Sequence, residues 1–158
     1  TIGAYPGIQA EERGQASAIA NNLMEMLTLN VPIVSVLIGY GGSGGALALC
    51  VADRIAILEN AVLGVISPKA CAEILWKDVK REAEAVKMLK MTSKDLFQQG
   101  IVDFIIPEPI GGAQTNLQET ALQIKNYLIS EICTLSKLSH SKLLKERYHR
   151  FRMIGQKG

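Results

Sequence analysis

The sequence predicts an α/β protein in which helices pack on a sheet of short, buried strands. Two observations support this: apolar patterns of helical spacing alternate with short β-branched runs, and 48% of the 158 residues are apolar against 20% charged. Such a balance and length are typical of a single globular domain and exclude a disordered or low-complexity chain. No apolar run approaches the roughly 18 residues that a membrane span requires.

The order of elements follows from periodicity and from start and stop signals. Apolar residues recur at helical spacing from Ala16 to Leu27, which predicts one long helix ending near Leu29. Val31 to Ile38 is almost wholly apolar and reads as a buried strand. Ser67-Pro68 and Thr92-Ser93 are typical helix starts. We expect further strands at 54–58, 61–66 and 102–106, and further helices at 44–52, 67–76, 79–90, 92–100, 116–136 and in the tail. We find no internal repeat.

Charge and cysteines restrict the class of function. The segment from Lys137 to Gly158 has seven basic residues and one acid, whereas the whole chain has a net charge of only +2. This basic segment could contact nucleic acid, a membrane or an acidic partner. We favour instead a solvated amphipathic helix at a subunit edge, because the segment lacks the aromatic pattern of a single-strand binder. Cys50 and Cys71 lie among apolar residues and are expected to be buried thiols, and the cysteine spacing predicts no zinc site.

The glycine run from Gly39 to Gly45 follows the first strand and opens a helix. It satisfies G-x-G-x-x-G, with Glu59 twenty residues after Gly39, which is the pattern of a dinucleotide-binding turn. A helix of about nine residues is short for that fold. Alternatively, backbone N–H groups at the positive end of the helix dipole could form an oxyanion hole for an enolate. A close-packed corner is the third interpretation.

Motifs along the whole chain distinguish these interpretations. They are Gly3-Ala-Tyr-Pro-Gly7, Ala10-Glu-Glu-Arg-Gly-Gln15, Ile38-Gly39, Gly41-Gly-Ser-Gly-Gly-Ala-Leu47, Ser67-Pro68, Ile74-Leu-Trp-Lys77, Ile106-Pro-Glu-Pro-Ile-Gly-Gly-Ala113 and Glu146-Arg-Tyr-His-Arg-Phe-Arg152. In this order they resemble the α subunit of the acetyl-CoA carboxylase carboxyltransferase, the bacterial and plastid multi-subunit type. The sequence departs from that family's usual pattern at Ile2, Tyr40, Lys69 and Gln114, and Tyr40 puts a role for an acid at that position in doubt.

The resemblance implies a crotonase-like fold, spiral ββα turns with helices at 116–158, and a reaction. The family transfers a carboxyl group from carboxybiotin, held on a separate carrier protein, to acetyl-CoA, giving malonyl-CoA for fatty acid biosynthesis. By motif, the backbone N–H groups of Gly44 and Gly45 would bind the biotin ureido oxygen. Loop residues Gly41, Gly42 and Ser43 would shape that site, and Gly3, Ala4 and Tyr5 would line the facing wall. The biotin anion can itself take the acetyl proton, so the protein would need no base of its own.

The resemblance also implies partners and a compartment. We expect a carboxyltransferase β subunit in an α2β2 assembly, a biotin carboxyl carrier protein and a biotin carboxylase that alone uses ATP. No metal in this chain, membrane or nucleic acid is expected, and the compartment would be a bacterial cytoplasm or a plastid stroma. The chain is expected to be the C-terminal part of the subunit, truncated at its N-terminus, with apolar sheet surface exposed where preceding strands are missing.

Two other functions remain open, and two groups of residues are given a structural rather than a catalytic role. The chain could be another crotonase-fold acyl-CoA hydratase or decarboxylase, which would need a carboxylate near the glycine run, or a non-catalytic assembly subunit. Glu11, Glu12 and Arg13 are interpreted as partners of a helix dipole and as a salt bridge rather than as catalytic groups. Trp76 is expected in the core or in an interface rather than stacked on biotin.

Overall fold

Two small parallel sheets form the centre of the protein, whose computed structural model describes residues 3–156. The strands are β1 (Val34–Leu37), β2 (Tyr40–Gly42), β3 (Arg54–Leu58), β4 (Val62–Gly64) and β5 (Phe104–Ile106). The first sheet has the order β1-β3-β5, and the second pairs β2 with β4. Strand β3 is central and buried, as its run of Ile and Leu predicts. Within the described residues, β1 has no strand on its outer edge.

Eight helices surround these sheets in the described part of the chain. They are α1 (Ile8–Glu12), α2 (Gln15–Thr28), α3 (Ser43–Leu49), α4 (Pro68–Trp76), α5 (Glu82–Leu89), α6 (Ser93–Gln98), α7 (Leu117–Leu135) and α8 (His140–Met153). The predicted starts at Ser67 and Thr92 are confirmed, because each side chain accepts a hydrogen bond from the N–H three residues later. Ile2 and Lys157, which the sequence singles out, lie outside the described residues.

The prediction of one long first helix is wrong. Gly14 adopts φ 77°, a left-handed conformation that separates α1 from α2. The interpretation of Glu11, Glu12 and Arg13 also fails in part: all three are exposed, and none forms an ion pair within residues 3–156. The predicted helix at 79–90 is likewise divided, into a 3-10 turn over Val79–Arg81 and α5.

Two hydrophobic clusters hold the elements together. The main one gathers the buried side chains of β3, α3 and α6 around Ile57, and the smaller one joins α4 to α5 through Cys71, Ala72 and Ala85. Cys50 and Cys71 are buried thiols, as expected. Trp76 packs against the smaller cluster, which confirms its place in the core. Within residues 3–156, no helix combines the length and apolar character needed to cross a membrane.

A structural repeat, which the sequence analysis failed to find, organises the edge of the first sheet. Asp53 donates its N–H to the Ile33 carbonyl and accepts the Ile33 N–H on its carboxylate, at 2.9 and 2.8 Å. Asp103 makes the same pair of bonds with Ile55, at 2.8 and 2.7 Å. The sequence signal is the similarity of Val51-Ala-Asp-Arg-Ile55 to Ile101-Val-Asp-Phe-Ile105, fifty residues later. Each aspartate therefore joins the start of its own strand to the neighbouring strand through two hydrogen bonds.

The basic tail is bound into the fold rather than fully solvated, so that expectation is wrong. Helix α8 presents Arg147 to Asp53 and Arg150 to Asp103, one arginine for each aspartate of the repeat. Arg147 is 1% exposed, while Arg150 is largely buried and also donates to the Ile101 carbonyl. The opposite side of α8, with Lys145 and Arg152, is exposed. The helix is amphipathic, but its inner face is partly ionic.

Candidate active site

The glycine run forms a tight strand–turn–helix corner. Strand β2 takes Gly41 and Gly42 into the second sheet, where both are buried, and α3 begins at the next residue. A Cβ atom on Gly41 would lie 2.6 Å from the Leu37 Cδ2 and 3.1 Å from the Leu63 Cδ1. Real Cβ atoms do not approach other atoms so closely, so a side chain at position 41 would displace the end of the Leu37 side chain.

Ser43 makes the turn into α3 with φ 56°. A non-glycine residue in this left-handed region costs roughly 1–2 kcal/mol, so the corner holds strained backbone at its centre. Strand–turn–helix corners of this kind also hold nucleophilic serines. However, the Ser43 hydroxyl bonds to no histidine or carboxylate within residues 3–156, so a serine nucleophile is not supported.

The N-terminus of α3 has no side-chain cap, which leaves its first N–H groups available. Gly42 occupies the cap position, and no side chain accepts a hydrogen bond there. The first N–H groups of a helix have no partner inside the helix, and they lie at the positive end of its dipole. Gly44 and Gly45 belong to this first turn. Helix α2 packs beside it, so that a Cβ on Gly44 would meet the Ile19 Cγ2 at 3.8 Å, an ordinary contact.

The opening loop lies against this corner at Gly3, and the predicted role of Gly3, Ala4 and Tyr5 in a site stays a prediction. Gly3 adopts φ 116°, and a Cβ there would be 3.1 Å from the Ser43 Cβ. Tyr5 is 73% exposed. The Gln15 side-chain amide fixes the loop: in the orientation that satisfies both groups, it donates to the Tyr5 carbonyl at 2.8 Å and accepts the Tyr5 N–H at 3.0 Å. Gln15 was not predicted as a site residue, although it ends the second motif of the resemblance.

A cavity of about 270 Å³ adjoins the glycine run. It extends along β1 from Ser35 to Ile38, continues past Gly39 to Gly41, and is closed by α3 residues Ala46, Leu49 and Cys50. None of its lining residues is an acid, a histidine or a lysine. Within residues 3–156, no group of three or more His, Cys, Asp or Glu residues could hold a metal ion. The corner therefore offers backbone donors and shape rather than acid–base side chains.

Comparison with known proteins identifies the family. Residues 1–155 match the family described as acetyl co-enzyme A carboxylase carboxyltransferase-like. The chain belongs to this family. It is 51% identical over 155 residues to the acetyl-coenzyme A carboxylase carboxyl transferase subunit alpha of Clostridium botulinum (strain Eklund 17B / Type B), covering 98% of this chain and 57% of that protein. With the same subunit of Shouchella clausii (strain KSM-K16) the identity is 53%, over 98% of this chain and 48% of the relative.

The chain thus spans about half the length of the curated relatives it matches. These shares describe how much of each relative is matched and not which part of it. The expectation that this chain is the C-terminal part of the subunit stays a prediction.

Solved structures confirm the crotonase-like α/β fold. A Pseudomonas malonate decarboxylase hetero-tetramer in complex with coenzyme A has a chain that superposes with a TM-score of 0.73 at 19% identity, covering 89% of this chain and 56% of that one. Transcarboxylase 12S with methylmalonyl-coenzyme A and methylmalonic acid bound gives a TM-score of 0.59 at 21% identity, over 79% of this chain and 25% of the other. A dinucleotide-binding fold around Gly39 is thereby disfavoured.

Proposed function

We propose that this chain forms the biotin side of a carboxyltransferase site that transfers a carboxyl group from carboxybiotin to acetyl-CoA, giving malonyl-CoA. The observation that most supports this is the uncapped start of α3, where Gly44 and Gly45 lie in the first turn and no side chain accepts a hydrogen bond from its N–H groups. Membership of the family and the names of the relatives support the same assignment.

The chemistry needs positioned donors. When the carboxyl group leaves the N1 atom of biotin, negative charge develops on the ureido oxygen, and the N–H groups of Gly44 and Gly45 stabilise it. Donors fixed by a helix need no reorganisation during the reaction, and each is worth about 3 kcal/mol of activation free energy. The acetyl methyl group then loses its proton to the biotin anion, and its carbon forms the new bond to the carboxyl carbon.

The remaining residues of the site shape this donor pair. Gly41 and Gly42 allow β2 to pair tightly with β4, and Ser43 turns the chain into α3, whose later residues line the cavity. Gly3, Ala4 and Tyr5 line the facing wall, where the exposed Tyr5 ring can contact an incoming biotin. Because no acid or base lines the cavity, a hydratase is less well supported than a carboxyltransferase.

Partners complete the proposal. We place acetyl-CoA mainly on a β subunit in an α2β2 assembly, with carboxybiotin delivered by a biotin carboxyl carrier protein. A separate biotin carboxylase would consume the ATP. The proposed compartment is a bacterial cytoplasm or a plastid stroma.

The test measures decarboxylation of malonyl-CoA with free biotin, using the full-length version of this chain and a β subunit. We expect activity only when both are present, and a decrease of 100-fold or more for Gly44→Val or Gly45→Val. Ala18→Val, a change of similar size on the exposed side of α2, should leave the rate unchanged. Normal assembly with unchanged rates in both glycine variants would refute the oxyanion assignment.

A further inference from the structure

A second cavity, of about 340 Å³, lies beside α3 and shares Cys50 with the first cavity. Leu47 and Cys50 of α3 form its roof, Ile55 and Leu63 form its floor, and Phe151 and Ile154 from the end of α8 form one wall. The floor is deeply buried, since Ile55 is 2% and Leu63 7% exposed. Apart from Cys50, the carboxyltransferase proposal uses none of these side chains.

The lining is apolar except at one place. Among its thirteen residues, Lys90 and Gln99 alone have strongly polar side chains, and both are exposed. Lys90 adopts φ 50° in the turn that ends α5, and it forms no ion pair within residues 3–156. An apolar chamber thus has a single unpaired positive charge at its solvent side.

Size indicates what could fill such a chamber. Binding cavities for small molecules begin at roughly 300 Å³ and are mostly apolar, with a few polar groups that fix the ligand's orientation. An apolar cavity of about 150 Å³ accepts benzene, so a volume near twice that suits a ligand of about twelve heavy atoms. A flexible chain suits this space better than a ring system, because side chains from six separate elements shape it.

We propose that this cavity binds a medium-chain fatty carboxylate, with the chain against Leu63 and Ile55 and the carboxylate beside Lys90. Decanoate has twelve heavy atoms and matches the volume. The Gln99 amide can donate a second hydrogen bond to the carboxylate. Because Phe151 and Ile154 form one wall, an occupied cavity also adds apolar contacts to the end of α8.

Calorimetric titration of decanoate into the full-length protein tests the proposal without any activity readout. We expect one saturable site, with octanoate bound about 15-fold more weakly, since each buried methylene contributes about a fourfold factor. Decanol, which lacks the negative charge, should bind more weakly than decanoate. An absence of saturable heat at millimolar decanoate, or equal affinities for octanoate and decanoate, would overturn the proposal.

Two variants with matched controls locate the ligand. Ile154→Trp fills the mouth and should abolish binding, whereas Met153→Trp, equally exposed at 38% but outside the lining, should not change it. Lys90→Gln should weaken decanoate about fivefold and leave decanol unchanged, while Lys94→Gln serves as its control. Wild-type affinity in Ile154→Trp would refute the cavity, and wild-type affinity in Lys90→Gln would refute the assigned head group.

Discussion

Replacing Arg147 should destabilise the protein more than replacing any other base of the tail. Its guanidinium uses all five N–H donors at 2.8 Å: two reach the Asp53 carboxylate, two reach the Met26 and Leu29 carbonyls at the end of α2, and one reaches the Val31 carbonyl. Both members of the ion pair are buried, at 0% and 3% side-chain exposure. A single side chain therefore satisfies acceptors from two separate segments of the chain, residues 26–31 and Asp53.

The magnitude follows from what Arg147→Met leaves behind. Removing one member of a buried ion pair typically costs about 3–5 kcal/mol, because the other charge stays buried without a partner. A domain of this size has about 5–15 kcal/mol of stability in total, so the loss would be a large share of it. The loss of stability for Arg147→Lys should lie between zero and that for Arg147→Met, since an ammonium offers three donors where the guanidinium offers five. In Asp53→Leu/Arg147→Met no charge is left unpaired, so much of the loss should be recovered.

Urea unfolding of the full-length protein, followed by circular dichroism, measures these differences. Arg152→Met is the matched control, since Arg152 lies on the exposed side of the same helix and forms no ion pair in the described residues. It should change the free energy of unfolding by less than about 0.5 kcal/mol. A cost below about 1 kcal/mol for Arg147→Met, with an unchanged denaturant slope, would refute the reasoning.

Three other predictions concern titratable groups. Burial raises the pKa of Cys50, so at neutral pH a thiol reagent should modify the exposed Cys133 first, and equal labelling rates in the folded protein would contradict this. Burial also raises the pKa of Tyr127 to about 12, so an ultraviolet titration should show one tyrosine ionising last, and stability should fall as the pH rises from about 10 towards 12. Burial alone would raise the pKa of Glu108, but hydrogen bonds from Asn60 and a second backbone N–H lower it. Glu108→Gln should therefore cost stability above the ordinary carboxyl pKa, and the difference from wild type should vanish as the pH falls; a difference that persists in acid would count against this.

Local signals were sufficient for much of the fold. Ser67 and Thr92 start helices through bonds to an N–H only three residues away, and the β-branched run at 54–58 fits a central strand in any α/β arrangement. The break at Gly14 could have been anticipated, because glycine inside a helix costs roughly 1 kcal/mol. The strand-to-helix corner at 39–45 was predicted because glycines at such a junction are a local pattern, whereas its role as a site stays a prediction.

Non-local pairing explains what the sequence did not reveal. Strand β2 exists because Gly41 lies beside Leu63, and nothing within the glycine run itself indicates a strand. The basic tail was interpreted as solvated because a charge count cannot show that Arg147 has a carboxylate partner 94 residues earlier. The only sequence signal for the ion pair was the similarity of the segments around Asp53 and Asp103, which provides one aspartate for each of the two arginines.

The separation of 94 residues between Asp53 and Arg147 has a consequence for synthesis on the ribosome. The acceptors of Arg147 lie between residues 26 and 53, and they emerge long before the arginine that satisfies them. At about 5–20 residues per second, the 94 residues between Asp53 and Arg147 take roughly 5–20 s to add. During that interval the Asp53 carboxylate can remain hydrated only if the edge of the first sheet stays open. The synthesis of α8 thus decides when the edge between β1 and β3 can close.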